Sequence, residues 1–460
     1  MDSREEVHRR TFSARGGTAP LTWGQLAIWK TIAWMGDGAH YFNVRRLVDL
    51  PEGVTVPAAV EAVARLVARH EALRTRWEAG PEEPTQTVSA EGAVDVLVVP
   101  VPREGARENA EERTVAQAAG KLPGPDGMPG LFTVFAHGDT ALHIGMVVTH
   151  QAVDSWSMRV MERELHLLAT GGQPDAEAWQ PRDQVGVERA PGGAARSKGA
   201  LRYWERNLEK APATMFGLSP QDAAEDPERF VRLGMDSPAL AIAATALADH
   251  CRTSVSTVLL AATSAVVGRF AKRDSAVLQL IAFNRVDPRT DAMVGSMTEN
   301  ALFTVDDVDR GDFADLVTRT HDRAMLAYQH ARYHPLDLDR LLERLTEDRG
   351  ARPDLGCFFN DARLQDRWPD TLEPLPTEPG AVERLRARTR IHLEGTWAAQ
   401  DATFFAHTTY SPDSARFFVM ADTLLLPRTG IEESLRETER VVLDAALRLA
   451  GAPTPPEGEK

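Results

Sequence analysis

Thr149-His150-Gln151-Ala152-Val153-Asp154-Ser155-Trp156-Ser157-Met158 follows directly on an apolar run through Ile144, Met146 and Val148. That alternation is a strand signal, and residues 158–168 then read as a helix. The order sets an imidazole at a strand end, where a substrate can reach it, and an aspartate just before a helix. A histidine placed this way titrates near neutrality and suits proton transfer. Just upstream, residues 131–136 and 141–149 are apolar runs joined by His137-Gly138-Asp139-Thr140, the pattern of a β-hairpin.

Outward from this stretch, strands and helices alternate. Residues 41–50, 94–101, 275–283, 357–359, 404–409 and 417–421 read as strands. Residues 21–34, 56–70, 201–208, 256–270, 313–329, 336–345 and 431–450 read as helices, with Pro335 dividing two of them. Residues 171–199 are rich in Gly, Pro, Ala and charge, which marks a linker. The expected organisation is an N-terminal lobe over 1–175, a linker over 176–200, a C-terminal lobe over 201–452 and a disordered tail over 453–460. Each lobe is expected to hold a mixed sheet flanked by helices, an α/β (α+β) fold.

The 460 residues are 43% hydrophobic and 26% charged, as in a globular protein, and the length exceeds one small core. A net charge of −15 argues against nucleic acid and anionic membranes as partners. Two arginine groups, Arg9, Arg10 and Arg15, and Arg182, Arg189 and Arg196 with Lys198, read as solvated charge. Cys251 and Cys357 lie in apolar runs and are too few for a cysteine zinc site. No run is long enough to span a membrane and no secretion signal opens the chain, so a cytoplasmic protein is expected. His143 and His150 lie at odd separation and face opposite sides of a strand. His330 and His334 have zinc-pair spacing with Asp337 nearby, but Pro335 interrupts the helix, so no metal is expected. Phosphate loops, nucleophile elbows and dinucleotide fingerprints are absent from the sequence.

Several stretches together resemble the condensation domains of nonribosomal peptide synthetases, in the chloramphenicol-acetyltransferase-like superfamily. Leu21-Thr22-Trp23-Gly24-Gln25-Leu26-Ala27-Ile28-Trp29 is similar to the family's opening motif, and Arg69-His70-Glu71-Ala72-Leu73-Arg74-Thr75-Arg76-Trp77 to its second. Residues 149–158 resemble its active-site motif, two histidines, three variable residues and Asp-Gly. Leu201-Arg202-Tyr203-Trp204 resembles the helix after its linker. Ala282-Phe283-Asn284-Arg285 stands where the family carries Ala-Gly-Arg, and Val294-Gly295-Ser296-Met297-Thr298-Glu299-Asn300 where it carries Gly-x-Phe-x-Asn. Residues 330–342 match a further motif loosely.

The resemblance implies a V-shaped pair of lobes with an active-site tunnel between them. It implies attack of an amine, or sometimes a hydroxyl, on an acyl thioester held by the phosphopantetheine arm of a carrier protein. No cofactor would be bound directly, and a free-standing, monomeric condensation enzyme is expected. His150, Asp154 and Arg285 form the implied catalytic group: His150 handles the proton, and Asp154 pairs with Arg285 to tie the lobes together. Thr149, Ser155, Trp156, Ser157, Asn300 and Asn360 are the implied channel and support residues. Thr149 replaces the first histidine and Ser155 the glycine, departures that also fit an inactive platform recruiting partner enzymes to a carrier. Epimerising members need a second acid–base residue, for which Glu299 is the nearest candidate. Aspartate in place of the first histidine would mark a heterocyclising member, and Thr149 is not that.

Overall fold

The computed structural model of the protein describes residues 4–122, 128–174, 177–217, 225–363, 375–376, 378–409, 411 and 413–451. The expected disordered tail lies outside the described residues. Chain contacts gather into two compact units, Met1–Arg196 with Phe283–Glu299, and Ser197–Ala282 with Asn300–Lys460.

The first unit holds β1 (Glu6–Ser13), β2 (Gly17–Pro20), α1 (Trp23–Met35), β3 (Asn43–Asp49), α2 (Val56–Arg69), β4 (Thr75–Glu78) and β5 (Thr85–Val88). There follow β6 (Glu91–Pro100), α3 (Ala106–Ala118), β7 (Gly130–His137), β8 (Thr140–Thr149), α4 (Ser155–Ala169), α5 (Pro181–Arg189) and the start of α6 (Pro191–Leu208). Its main sheet runs β1-β6-β7-β8-β3, and a smaller one runs β2-β5-β4. Strand β6 is parallel to β7; β7 and β8 form the antiparallel hairpin, turning through Gly138 at φ 56°.

Both faces of this sheet are covered, which explains why β7 and β8 read as nearly continuous apolar runs. Ile144, Met146 and Val148 pack with Val60, Val63, Leu66 and Val67 of α2 and with Met158, Met161 and Leu165 of α4. Phe135 packs on the other side against Ala106 and Ala110 of α3. Gly145 permits that approach, because a Cβ there would meet Thr114 Oγ1 at 2.6 Å.

The second unit holds β9 (Phe230–Ser237), α7 (Pro238–Cys251), α8 (Val255–Ala271), β10 (Ser275–Ala282), β11 (Glu299–Asp306), α9 (Phe313–Gln329), α10 (Pro335–Arg349) and β12 (Cys357–Asp361). It is completed by α11 (Pro379–Arg386), β13 (Arg390–Trp397), β14 (Phe404–Thr409), β15 (Ala415–Asp422) and α12 (Arg428–Leu449). Its seven-stranded sheet runs β11-β10-β12-β14-β15-β9-β13, parallel across β10-β12-β14 and antiparallel beyond. Helices α7 and α8 are apolar on most faces because they are enclosed in this unit's core. No single described helix is long and apolar enough to cross a membrane.

Two expectations change. The segment read as a linker is largely helical, with Gln180 and Asp183 forming a capping box at the start of α5 and a proline in its first turn. The chain also crosses between units three times: after β10, residues 283–299 join the first unit before β11 resumes the second. Cys251 and Cys357 are free thiols. His330 ends α9 and His334 opens α10, and the His330 ring stacks on Tyr203 at 4.4 Å.

Candidate functional site

The site grows from the end of β8. Thr149 is the last strand residue, paired with Asn43 of β3, and its carbonyl accepts from Ala152 N at 2.9 Å, closing a tight turn. His150 N donates to Phe42 O at 2.9 Å, which fixes the backbone under the imidazole. Ala152 and Val153 are fully enclosed, and Asp154 then caps α4 by accepting from Ser157 N at 2.8 Å. Strand, turn and capped helix thus hold a half-buried histidine within five residues.

Asp154 is fully buried and is met by several donors. Ser157 Oγ lies 2.7 Å from Oδ1, Met297 N donates to Oδ2 at 3.2 Å, and Arg285 Nη2 donates to both oxygens at 2.9 Å. Arg285 Nη1 donates to Thr290 O at 2.6 Å and Met293 O at 2.8 Å. Ser157 Oγ also accepts from Arg285 Nη2 at 2.9 Å and from Gly295 N at 3.1 Å. This many donors offset the burial of the carboxylate and leave it no oxygen free to act as a base.

The implied tie between lobes is corrected here. Arg285 belongs to residues 283–299, which fold with the first unit, so its ion pair with Asp154 is internal to that unit. Ser157 is enclosed and holds this network together.

The His150 imidazole is pushed below the usual histidine range by burial; its own carbonyl, Asp154 and the Val153 carbonyl oppose that shift without reversing it. Its Nδ1 is enclosed and makes no well-formed hydrogen bond among the described residues, whereas Nε2 is not enclosed. The ring is therefore neutral at pH 7 and can take a proton.

Ser155 is exposed at the first position of α4 and is not among the positive-φ residues, so this turn makes no conformational demand for glycine. Its N–H is one of the helix's first donors, which have no intrahelical partner. Trp156 Nε1 donates to Asp291 O at 2.9 Å, adding a further tie to residues 283–299. Thr149 borders a groove of about 340 Å³ with His40, Asn43 and Trp77.

Asn300 and Asn360 lie in the second unit. The Asn300 carbonyl accepts from Tyr333 Oη at 2.9 Å, and Asn360 Oδ1 is enclosed without a hydrogen-bond partner among the described residues. Glu299 Oε2 accepts from Asn284 Nδ2 at 3.2 Å, so it serves the turn after β10.

Sequence reasoning missed Gln151. It is buried, and its Nε2 donates to Gln25 O at 2.9 Å, binding the histidine turn to α1. Gln25 in turn completes the capping box of α1 with Thr22. No sequence signal marks Gln151, because its partner is a backbone carbonyl far away in sequence.

Comparison with known proteins identifies the family. The condensation-domain family model matches residues 16–355. A probable non-canonical nonribosomal peptide synthetase, CymA of Salinispora arenicola, is 24% identical over 72% of this chain, which spans 4% of that protein. Cyclosporin synthetase of Tolypocladium inflatum is 24% identical over 88% of this chain, which spans 3% of that protein. A solved condensation domain mediating chain release from the enacyloxin polyketide synthase superposes with TM-score 0.72 at 19% identity, covering 96% of this chain and 86% of that one. The X-domain from teicoplanin biosynthesis gives TM-score 0.65 at 18% identity, covering 96% and 97%. The chain therefore belongs to the condensation-domain family, with that family's chloramphenicol-acetyltransferase-like fold.

Proposed function

We propose that this chain is an acyltransferase of the condensation type. An amine, or alternatively a hydroxyl, attacks an acyl or aminoacyl thioester on the phosphopantetheine arm of a carrier protein. The products are an amide, or an ester, and the free thiol of the arm. His150 Nε2 takes the proton from the attacking group as the new bond forms and returns it to the departing sulfur. The Ser155 N–H, which opens α4, supplies a donor for the developing oxyanion. Asp154, Ser157 and Arg285 are positioning residues: they hold the turn and do not touch the reacting atoms.

One observation carries this reading, a neutral imidazole with one open nitrogen, fixed on a turn held by a satisfied buried ion pair. The test is product formation from an acyl-loaded carrier with matched amine and alcohol acceptors. An amide with the amine, or an ester with the alcohol, supports the reading and decides the acceptor class. Hydrolysis alone, or no turnover with any acceptor, overturns it.

A second reading has one observation in its favour. A teicoplanin X-domain, whose likeness to this chain is at the level of fold, has been solved in complex with OxyB. Thr149 and Ser155, which replace the usual His and Gly, fit a similar recruiting platform. Binding of a partner enzyme that survives His150→Ala, together with no acyl transfer, would favour it.

A further inference from the structure

A cavity of about 450 Å³ opens in the first unit where α2 and α4 end. Leu168 borders it, and Ser155 opens that same helix, so at 1.5 Å per residue about 20 Å of helix separates cavity and histidine turn. Arg15, Arg65, Arg69 and Arg74 line it, against the carboxylates of Glu71 and Glu177. On a chain of net charge −15 this is a local reversal of sign.

The neighbouring carboxylates answer only part of that charge. Glu71 is taken up by Arg182, whose Nε and Nη2 donate at 2.8 and 2.5 Å. Glu164 holds Arg69 at 3.2 Å and His70 at 2.7 Å, and Asp183 holds Arg15 at 3.3 Å. Arg65 and Arg74 form no ion pair among the described residues. Arg65 gives one hydrogen bond, a long one of 3.3 Å to Gly172 O. Arg74 is only 3% exposed, donates from Nη1 to Arg15 O at 2.7 Å and Ser89 O at 2.6 Å, and leaves Nε enclosed without a partner among the described residues.

A buried guanidinium without an ion-pair partner is costly, because hydrogen bonds to backbone carbonyls offset only part of its desolvation. Burial lowers the Arg74 pKa from the ordinary arginine value; Glu71 opposes that shift and Arg182 adds to it. The dipole of α2 accounts for a cation in its last turn, which Arg69 supplies, but Arg74 lies beyond the helix in the 3₁₀ segment Glu71–Arg74.

We propose that this cavity is an anion site for a phosphate-bearing ligand, with Arg74 and Arg65 as its principal donors. The guanidinium N–H groups that these backbone bonds leave over suit a phosphoryl dianion, whose oxygens accept several N–H bonds at once. A phosphopantetheine group and a free nucleotide share that chemistry. The site does not depend on the reaction assigned to His150.

The experiment is calorimetric titration of the full chain at fixed ionic strength with 4′-phosphopantetheine, AMP and, as control, pantetheine. Saturable binding of either phosphate ester, with none of pantetheine, is expected; the tighter ester identifies the source. Arg65→Gln, on a half-buried side chain, is expected to weaken binding about tenfold by removing a charged donor, with the melting temperature unchanged. Arg74→Lys keeps the charge but not the fork and should weaken it as well. Binding of pantetheine as tight as that of its phosphate, no saturable heat, or equal affinity in Arg65→Gln would overturn the proposal. Saturation by inorganic phosphate but by neither ester would likewise overturn the ligand class.

Discussion

At the scale of single residues, the Asp154–Arg285 pair dominates the energetics of the site. Both side chains are enclosed, so removing one strands the other's charge. Asp154→Ala or Arg285→Ala is expected to cost about 3–5 kcal/mol, measured by urea unfolding. The double variant should cost less than the sum of the two, because the penalty is shared. An additive double variant would mean that the two charges act independently. Burial of His150 sets a second expectation. The acid limb of kcat/KM should fall below the ordinary histidine value of 6.5, since the ring stays neutral to lower pH. A limb at or above that value would contradict the shift. Of these residues, His150 was legible from its place after an apolar strand. The pairing of Asp154 with Arg285 came from family resemblance, because 131 residues separate them and no local pattern links them. Gln151 was not legible, since its partner is a backbone carbonyl on α1.

At the scale of elements, the turn between β8 and α4 accepts serine where relatives carry glycine because its first helical position needs no positive φ. Ser155→Gly is therefore expected to change stability by less than about 1 kcal/mol. If it stabilised the fold by much more, the serine would have to be strained. Hairpin β7–β8 and helices α2, α4, α8 and α9 were readable because burial imposes apolar patterns on them. Strands β1, β4, β5 and β13 were not, since half-exposed polar strands such as β1 and β13 show no clean alternation. Helix α5 and the part of α6 before residue 201 hid in a Gly- and Pro-rich segment, where a Gln–Asp capping box at α5 replaces the Ser/Thr–Glu signature.

For the molecule as a whole, His407 on β14 reports on acid stability. Burial, with Arg232 adding to it, drives its pKa to about 3, and its ring stacks on Phe418 at 4.5 Å. An unfolded chain takes up a proton on this group below about 6.5, which the folded protein refuses until about 3. Its contribution is therefore fully present above about 6.5 and is lost as pH falls towards about 3. Melting temperatures of His407→Phe should decline less steeply than wild type across that window, and equal slopes would contradict the assignment. Chain organisation was only partly readable: the return of residues 283–299 to the first unit has no compositional mark, yet it delivers Arg285 to the site. All of this serves one claim, that His150 moves the proton in acyl transfer. The direct test is the single-turnover rate from an acyl-loaded carrier, comparing wild type with His150→Ala at equal melting temperature. A loss of about 10²–10⁴-fold is expected, and an undiminished rate would contradict the account.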